Sequence, residues 1–173
     1  MSNSQSDQSI QLADSGRIDG WTDAAKRYRE IMALVAKRGV GFWFADPDFT
    51  HWPLGDTAGL AAWHDWAVQG SKHHRAVLLL HDVAPLKAKH PAWVRWRQPW
   101  SHRIPCLMPA HEEAALTGGI LVVPDVVGLK MTDQSAGRGW WTKDRQTVSE
   151  WLSELDAISQ RSSEALFASS LGL

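Results

Sequence analysis

The residues of this chain that could do chemistry are concentrated between positions 81 and 103. Lys87, Lys89, His90, Arg95, Arg97, His102 and Arg103 supply a dense set of donors, with Trp93, Trp96 and Trp100 interleaved among them. Guanidinium forks grip phosphate oxygens and indole rings stack on bases. The cluster therefore suits a phosphorylated small molecule, a nucleotide or a single strand of nucleic acid. The spacing 93, 96, 100 has a second reading, because it puts three indoles on one side of a helix, where they would pack inward beneath a solvated basic face. Just upstream, His81-Asp82 closes an apolar run, the place where open α/β sheets hold their ligands. Asp82 is equally suited to cap a helical segment beginning at Val83.

Other constellations are weaker. Of the eight histidines, His73 and His74 are adjacent and would diverge in a strand. His64, His81, His90, His102 and His111 show no H-x3-H or H-E-x-x-H spacing, so no metal site is expected. Gly137-Arg138-Gly139 lacks both the G-x-G-x-x-G frame and a P-loop lysine. Ser101, His102 and Asp82 have the side chains of a triad, but no nucleophile elbow frames the serine. The single Cys106 excludes an intramolecular disulfide and reads as a small buried hydrophobe. Asp125 sits between two short apolar runs, as a turn residue would. Directed into a cleft with Arg103, it would instead be part of a site. No cofactor motif is present.

The elements that must position these residues follow from patterning. The 173 residues carry 18 basic and 19 acidic side chains, a formal net charge of -1, which argues against a protein built to coat nucleic acid. The first eleven residues have neither a basic start nor an apolar stretch, and residues 1–8 read as a disordered leader to one domain over 9–173. No apolar run reaches the roughly 18 residues of a membrane span, so the expected location is the cytoplasm. Eleven tryptophans are the odd number. In so small a domain several should lie near the surface and mark an interface.

Residues 10–12 alternate like a short strand. Apolar positions at three- and four-residue steps predict a helix from Trp21-Thr22-Asp23 to about Arg38, a second from an Asp56-Thr57 cap to Gly70, and a third from 144 to about 166. Pro85 and Pro91 each open a short helical turn. Continuous apolar runs at 40–45, 76–80 and 104–108 read as buried strands. The runs 119–123 and 127–131 are too close for a crossover and must form an antiparallel hairpin. Residues 109–117 form a small acidic helix or loop, and 135–143 read as a glycine-rich loop holding Trp140-Trp141. The expected fold is α/β, with a mixed, mostly parallel sheet flanked by helices on both faces.

The run LLLHDVAPLKAKHPAWVRWRQPWSHRI, followed by GILVVPD and a long terminal helix, resembles an uncharacterised bacterial family of phospholipase D-like domains, often fused behind GNAT-type acetyltransferases. Its anchors are Asp82-x-x-Pro85-Leu86, His90-Pro91, Ser101-x-Arg103 and Asp125, and it extends over about residues 10–165. Catalytic members of the wider superfamily use H-x-K-x4-D, in which the imidazole attacks phosphorus and the lysine neutralises the phosphate oxygens. Aligned on Asp125, the nucleophile falls on Gly118 and the cation on Ile120, neither of which can do that work. The resemblance thus implies a non-catalytic phospholipase D-like binding or assembly module. It also implies a homodimer, because single-copy domains of the superfamily resemble half of a two-fold pair, and an acetyltransferase as a possible partner. The other expectation is an enzyme or regulator that binds phosphate esters, nucleotides or nucleic acid. Its candidate residues are Asp82, His90, Arg95, Arg97, Arg103 and Asp125.

Overall fold

The computed structural model describes residues 13–110 and 116–166. The sequence-predicted strand at 10–12, the leader and most of the acidic segment at 109–117 lie outside them. Eight strands form one sheet: β1 (Ser15–Asp19), β2 (Phe42–Ala45), β3 (Ala76–Leu79), β4 (Cys106–Pro109), β5 (Ile120–Val123), β6 (Val127–Asp133), β7 (Arg138–Thr142) and β8 (Ser162–Glu164), in the order β1-β7-β6-β5-β2-β3-β4-β8. The helices are α1 (Trp21–Arg38), α2 (Thr57–Gln69), α3 (Val83–Lys89), α4 (Pro91–Arg97), which runs on into a 3-10 turn at Gln98–Trp100, and α5 (Arg145–Ser159).

The mostly parallel sheet expected from the sequence is corrected. Only β2–β3 and β3–β4 pair in parallel, whereas β1–β7, β7–β6, β6–β5, β5–β2 and β4–β8 are antiparallel. The cause lies in three strands whose sequences do not advertise them. In β1 only Ile18 is buried. β7 occupies the stretch that reads as a glycine-rich loop, and β8 replaces the end of the sequence-predicted terminal helix. The 119–131 hairpin does form, with Ile120 opposite Lys130 and Val123 opposite Val127.

Side chains alternate across the sheet as the pleat requires. Phe42, Phe44, Leu78, Leu121, Leu129 and Trp141 face a thick layer made by α1 to α4, while Ala45, Leu79, Ile120 and Val122 face α5. Helix α1 is amphipathic, burying Ala24, Tyr28, Ile31, Met32 and Val35. Lys37 and Arg38 complement its C-terminal dipole. It stops at Gly39, which takes φ 62°, a left-handed conformation that glycine adopts without a Cβ penalty. Asp56 caps α2, its Oδ1 accepting from the Gly59 N–H at 2.6 Å. Six of the eleven tryptophans (Trp52, Trp63, Trp66, Trp93, Trp141 and Trp151) are buried. Trp63 stands edge-on to both Trp66 and Trp93. The tryptophan excess therefore fills the interior, and Trp140 is the one tryptophan that stands exposed.

Candidate functional site

Three places matter: the hairpin that carries Gly118, Ile120 and Asp125, the basic crossover, and the loop leaving β2. On the hairpin, Gly118 and Gly119 are buried. A Cβ at Gly118 would lie 2.7 Å from the Met131 carbonyl oxygen, and one at Gly119 would lie 2.7 Å from the Trp52 ring. No side chain, least of all an imidazole, fits at 118 without moving the β6 backbone. Ile120 is buried under α5. Its cross-strand neighbour Lys130 carries an ammonium on the adjacent strand, paired with Glu154 at 3.7 Å and lying over the Trp151 ring. The concavity between them is small, about 60 Å3. Asp125 stands at the exposed hairpin tip with φ 61°, a turn residue.

The crossover is organised around the main chain. Arg103 is 3% exposed and donates to the carbonyls of His74 (3.2 Å), Ala67 (2.7 Å) and Ser71 (3.1 Å), with its guanidinium over Trp66. Arg97 is equally buried, donating from Nε to Ile104 O at 2.6 Å and from Nη1 to Leu166 O at 3.1 Å, with Glu164 3.9 Å away. The two arginines thus fasten different segments and do not converge. Arg95 is exposed on α4. Asp82 is the N-cap of α3, its Oδ1 accepting from Ala84 N at 2.9 Å. The side chain of His81 accepts from the Leu116 N–H at 2.7 Å. Cys106 is fully buried, and burial pushes its thiol up to about 12, which leaves it inert as a nucleophile.

The loop leaving β2 carries a site that the sequence patterning does not mark. Asp46 is fully buried, and four N–H groups converge on its carboxylate. Asp48 N (3.1 Å) and Phe49 N (2.7 Å) donate to Oδ1, and Trp52 Nε1 (2.7 Å) and Gln134 Nε2 (2.9 Å) donate to Oδ2. This node ties the loop to the hairpin, because Gln134 Oε1 also accepts from Gly119 N. Phe49 is held at φ 59°, a conformation that costs a non-glycine residue about 1–2 kcal/mol. Its carbonyl accepts from His90 Nε2 at 2.9 Å. His90 is 6% exposed, and burial moves its pKa below the ordinary histidine value. A cavity of about 530 Å3 opens here, against residues 50–53, Gly55, Asp56, Lys89 and His90. The signal that could have found it is the one applied to His81-Asp82, a polar residue directly after a buried apolar strand.

A larger cleft, about 660 Å3, lies on the opposite face beside α5, lined by Trp43, Val77, Pro105 and Leu107 with Arg75 and Asp156 among its polar residues.

No family model and no curated protein matches the chain. Solved structures do. Phosphatidylserine synthase from Haemophilus influenzae Rd KW20 superposes with a TM-score of 0.57 at 11% identity, over 94% of this chain and 42% of that one. The fold is phospholipase D-like. TrmBL2, an archaeal chromatin protein described as showing a novel mode of DNA binding, superposes with a TM-score of 0.61 at 12% identity, over 89% of this chain and 55% of that one. NucT from Helicobacter pylori matches 87% of this chain and 98% of its own at 9% identity, with a TM-score of 0.49. The chain thus spans about half the length of TrmBL2 and less than half that of the synthase. At these identities the likeness is one of fold alone.

Proposed function

We propose that this chain is a non-catalytic phospholipase D-like domain acting as a binding or assembly module, of the bacterial family that its crossover sequence resembles. The observation that carries the reading is Gly118. The hairpin position that would hold an attacking imidazole is packed against the Met131 carbonyl, and the position for the assisting ammonium is a buried isoleucine. With nucleophile and cation both missing, the fold keeps its sheet and loses the groups that stabilise a phosphoryl transition state. The module works as a homodimer, the assembly that the resemblance implies, and a GNAT-type acetyltransferase is the protein partner that it points to.

The rival reading, in which Arg95, Arg97 and Arg103 grip phosphate, is disfavoured by the carbonyl contacts of Arg97 and Arg103. The test is direct. Purified protein is assayed for hydrolysis of bis(p-nitrophenyl) phosphate and of phosphatidylcholine vesicles, and sedimented at micromolar concentration. No turnover above buffer and a species of twice the chain mass are expected. Phosphodiester turnover that disappears on Asp125→Asn would overturn the non-catalytic reading, and a monomer across the concentration range would overturn the dimer.

A further inference from the structure

The cavity at the end of β2 has features that its structural role leaves unused. A carbonyl oxygen can only accept, so His90 must carry its hydrogen on Nε2 to bond Phe49 O. The neutral ring then presents Nδ1 as an acceptor, and among the described residues no group donates to it. His90 is nine-tenths buried and lines the cavity. Gly55 keeps the approach open, because a Cβ there would lie 3.2 Å from that same Nδ1.

The other walls complete a recognisable set of groups. His51 is exposed and stacked on Trp21, ring centroids 4.6 Å apart at 20°, which leaves the outer imidazole face free to receive a flat ring. Lys89 is exposed and brings an ammonium to the wall. The acidic member, Asp56, is paired with Arg29 at 3.2 Å, so the local balance favours an anion. The loop is held rigid by the four donors on Asp46 and by the His90–Phe49 bond, and a site needs that preorganisation. The volume falls within the range of small-molecule sites. The position, beyond the carboxyl end of a strand paired in parallel with its neighbour, is where open α/β sheets bind ligands.

We infer that this cavity binds a mononucleotide-sized phosphate monoester, with its flat ring on the His51–Trp21 stack, a ring or sugar donor on His90 Nδ1, and its phosphate at Lys89. The inference rests on the reading of the chain as a binding module. It places the ligand on the loop after β2, in a cavity that none of Gly118, Arg97 and Arg103 lines.

The full chain, 15N-labelled, is titrated with an equimolar mixture of the four ribonucleoside 5′-monophosphates, and with inorganic phosphate alone. The indole N–H signals of Trp21 and Trp52 should shift saturably while those of Trp66 and Trp151 stay in place. Phosphate alone should bind more weakly. Lys89→Ala, His51→Ala and Gly55→Ala should each weaken binding about tenfold or more, with the dispersed amide spectrum of the native chain retained to show that the variants are folded. No saturable shift at millimolar nucleotide, or shifts indifferent to all three substitutions, would overturn the site. Phosphorus spectra of the same samples separate the two readings. Unchanged nucleotide supports binding without chemistry, whereas release of phosphate in step with the indole shifts would sink the non-catalytic reading and leave the site standing.

Discussion

At the scale of single residues, the polar side chains buried in this protein act mostly as fasteners. Arg103 is the clearest case, since its planar fork reaches the Ala67 carbonyl in the last turn of α2 and those of Ser71 and His74 just after it, while lying over Trp66. A lysine presents its donors from one point and cannot span them. Arg103→Lys should therefore lower unfolding free energy by about 2–3 kcal/mol in urea titrations, an effect on stability that a pure ligand-binding arginine would not show. His90 sets a pH dependence. Burial lowers its pKa, assisted by Lys89 and opposed by the Phe49 carbonyl and by Asp56, so the unfolded chain takes up the proton more readily than the folded one. Its stabilising contribution is thus complete above the ordinary histidine pKa of about 6.5 and lost as pH falls through it. The thermal midpoint should drop between pH 7 and pH 5, and His90→Gln should shrink that drop. An unchanged slope in the variant would assign it to other groups.

At the scale of elements, the hairpin carries the most consequential packing. Gly118→Ala places a methyl 2.7 Å from the Met131 oxygen and should cost about 1–3 kcal/mol. Gly118→His should cost more and yield no phosphodiesterase, as measured by denaturation and by the hydrolysis assay together. What the sequence made legible at this scale follows from burial. Helix α1 could be read to its last residue, because its apolar stripe, terminal cations and Gly39 all agree. The strands β2, β3 and β5 are short apolar runs buried on both faces, and each is found close to where the runs place it. The strands β1, β7 and β8 escape such reading because pairing, not burial, recruits them. β8 is Ser-Ser-Glu with no apolar residue, and β7 follows the Gly137 turn with its tryptophans facing opposite sides. Those strands turn the sheet mainly antiparallel. The same limit hid Asp46, since a buried carboxylate and a turn aspartate look identical until the Trp52 and Gln134 donors are folded onto it.

At the scale of the molecule, the two sides of the sheet are unequal. One is filled by four helices and a continuous set of indole and phenyl rings, while among the described residues α5 is the one helix on the other, where Val148, Trp151, Leu155 and Ile158 pack together with Leu116 and an open cleft lies alongside. Local opening free energy follows buried apolar contact. Amide hydrogen exchange should accordingly be faster throughout α5 than in the middle of α1, and equal protection of the two helices would contradict this. The tryptophan-filled half would then act as the last-surviving foldon, and unravelling would begin at the carboxyl-terminal helix, baring a greasy sheet surface while the β2 loop still stands.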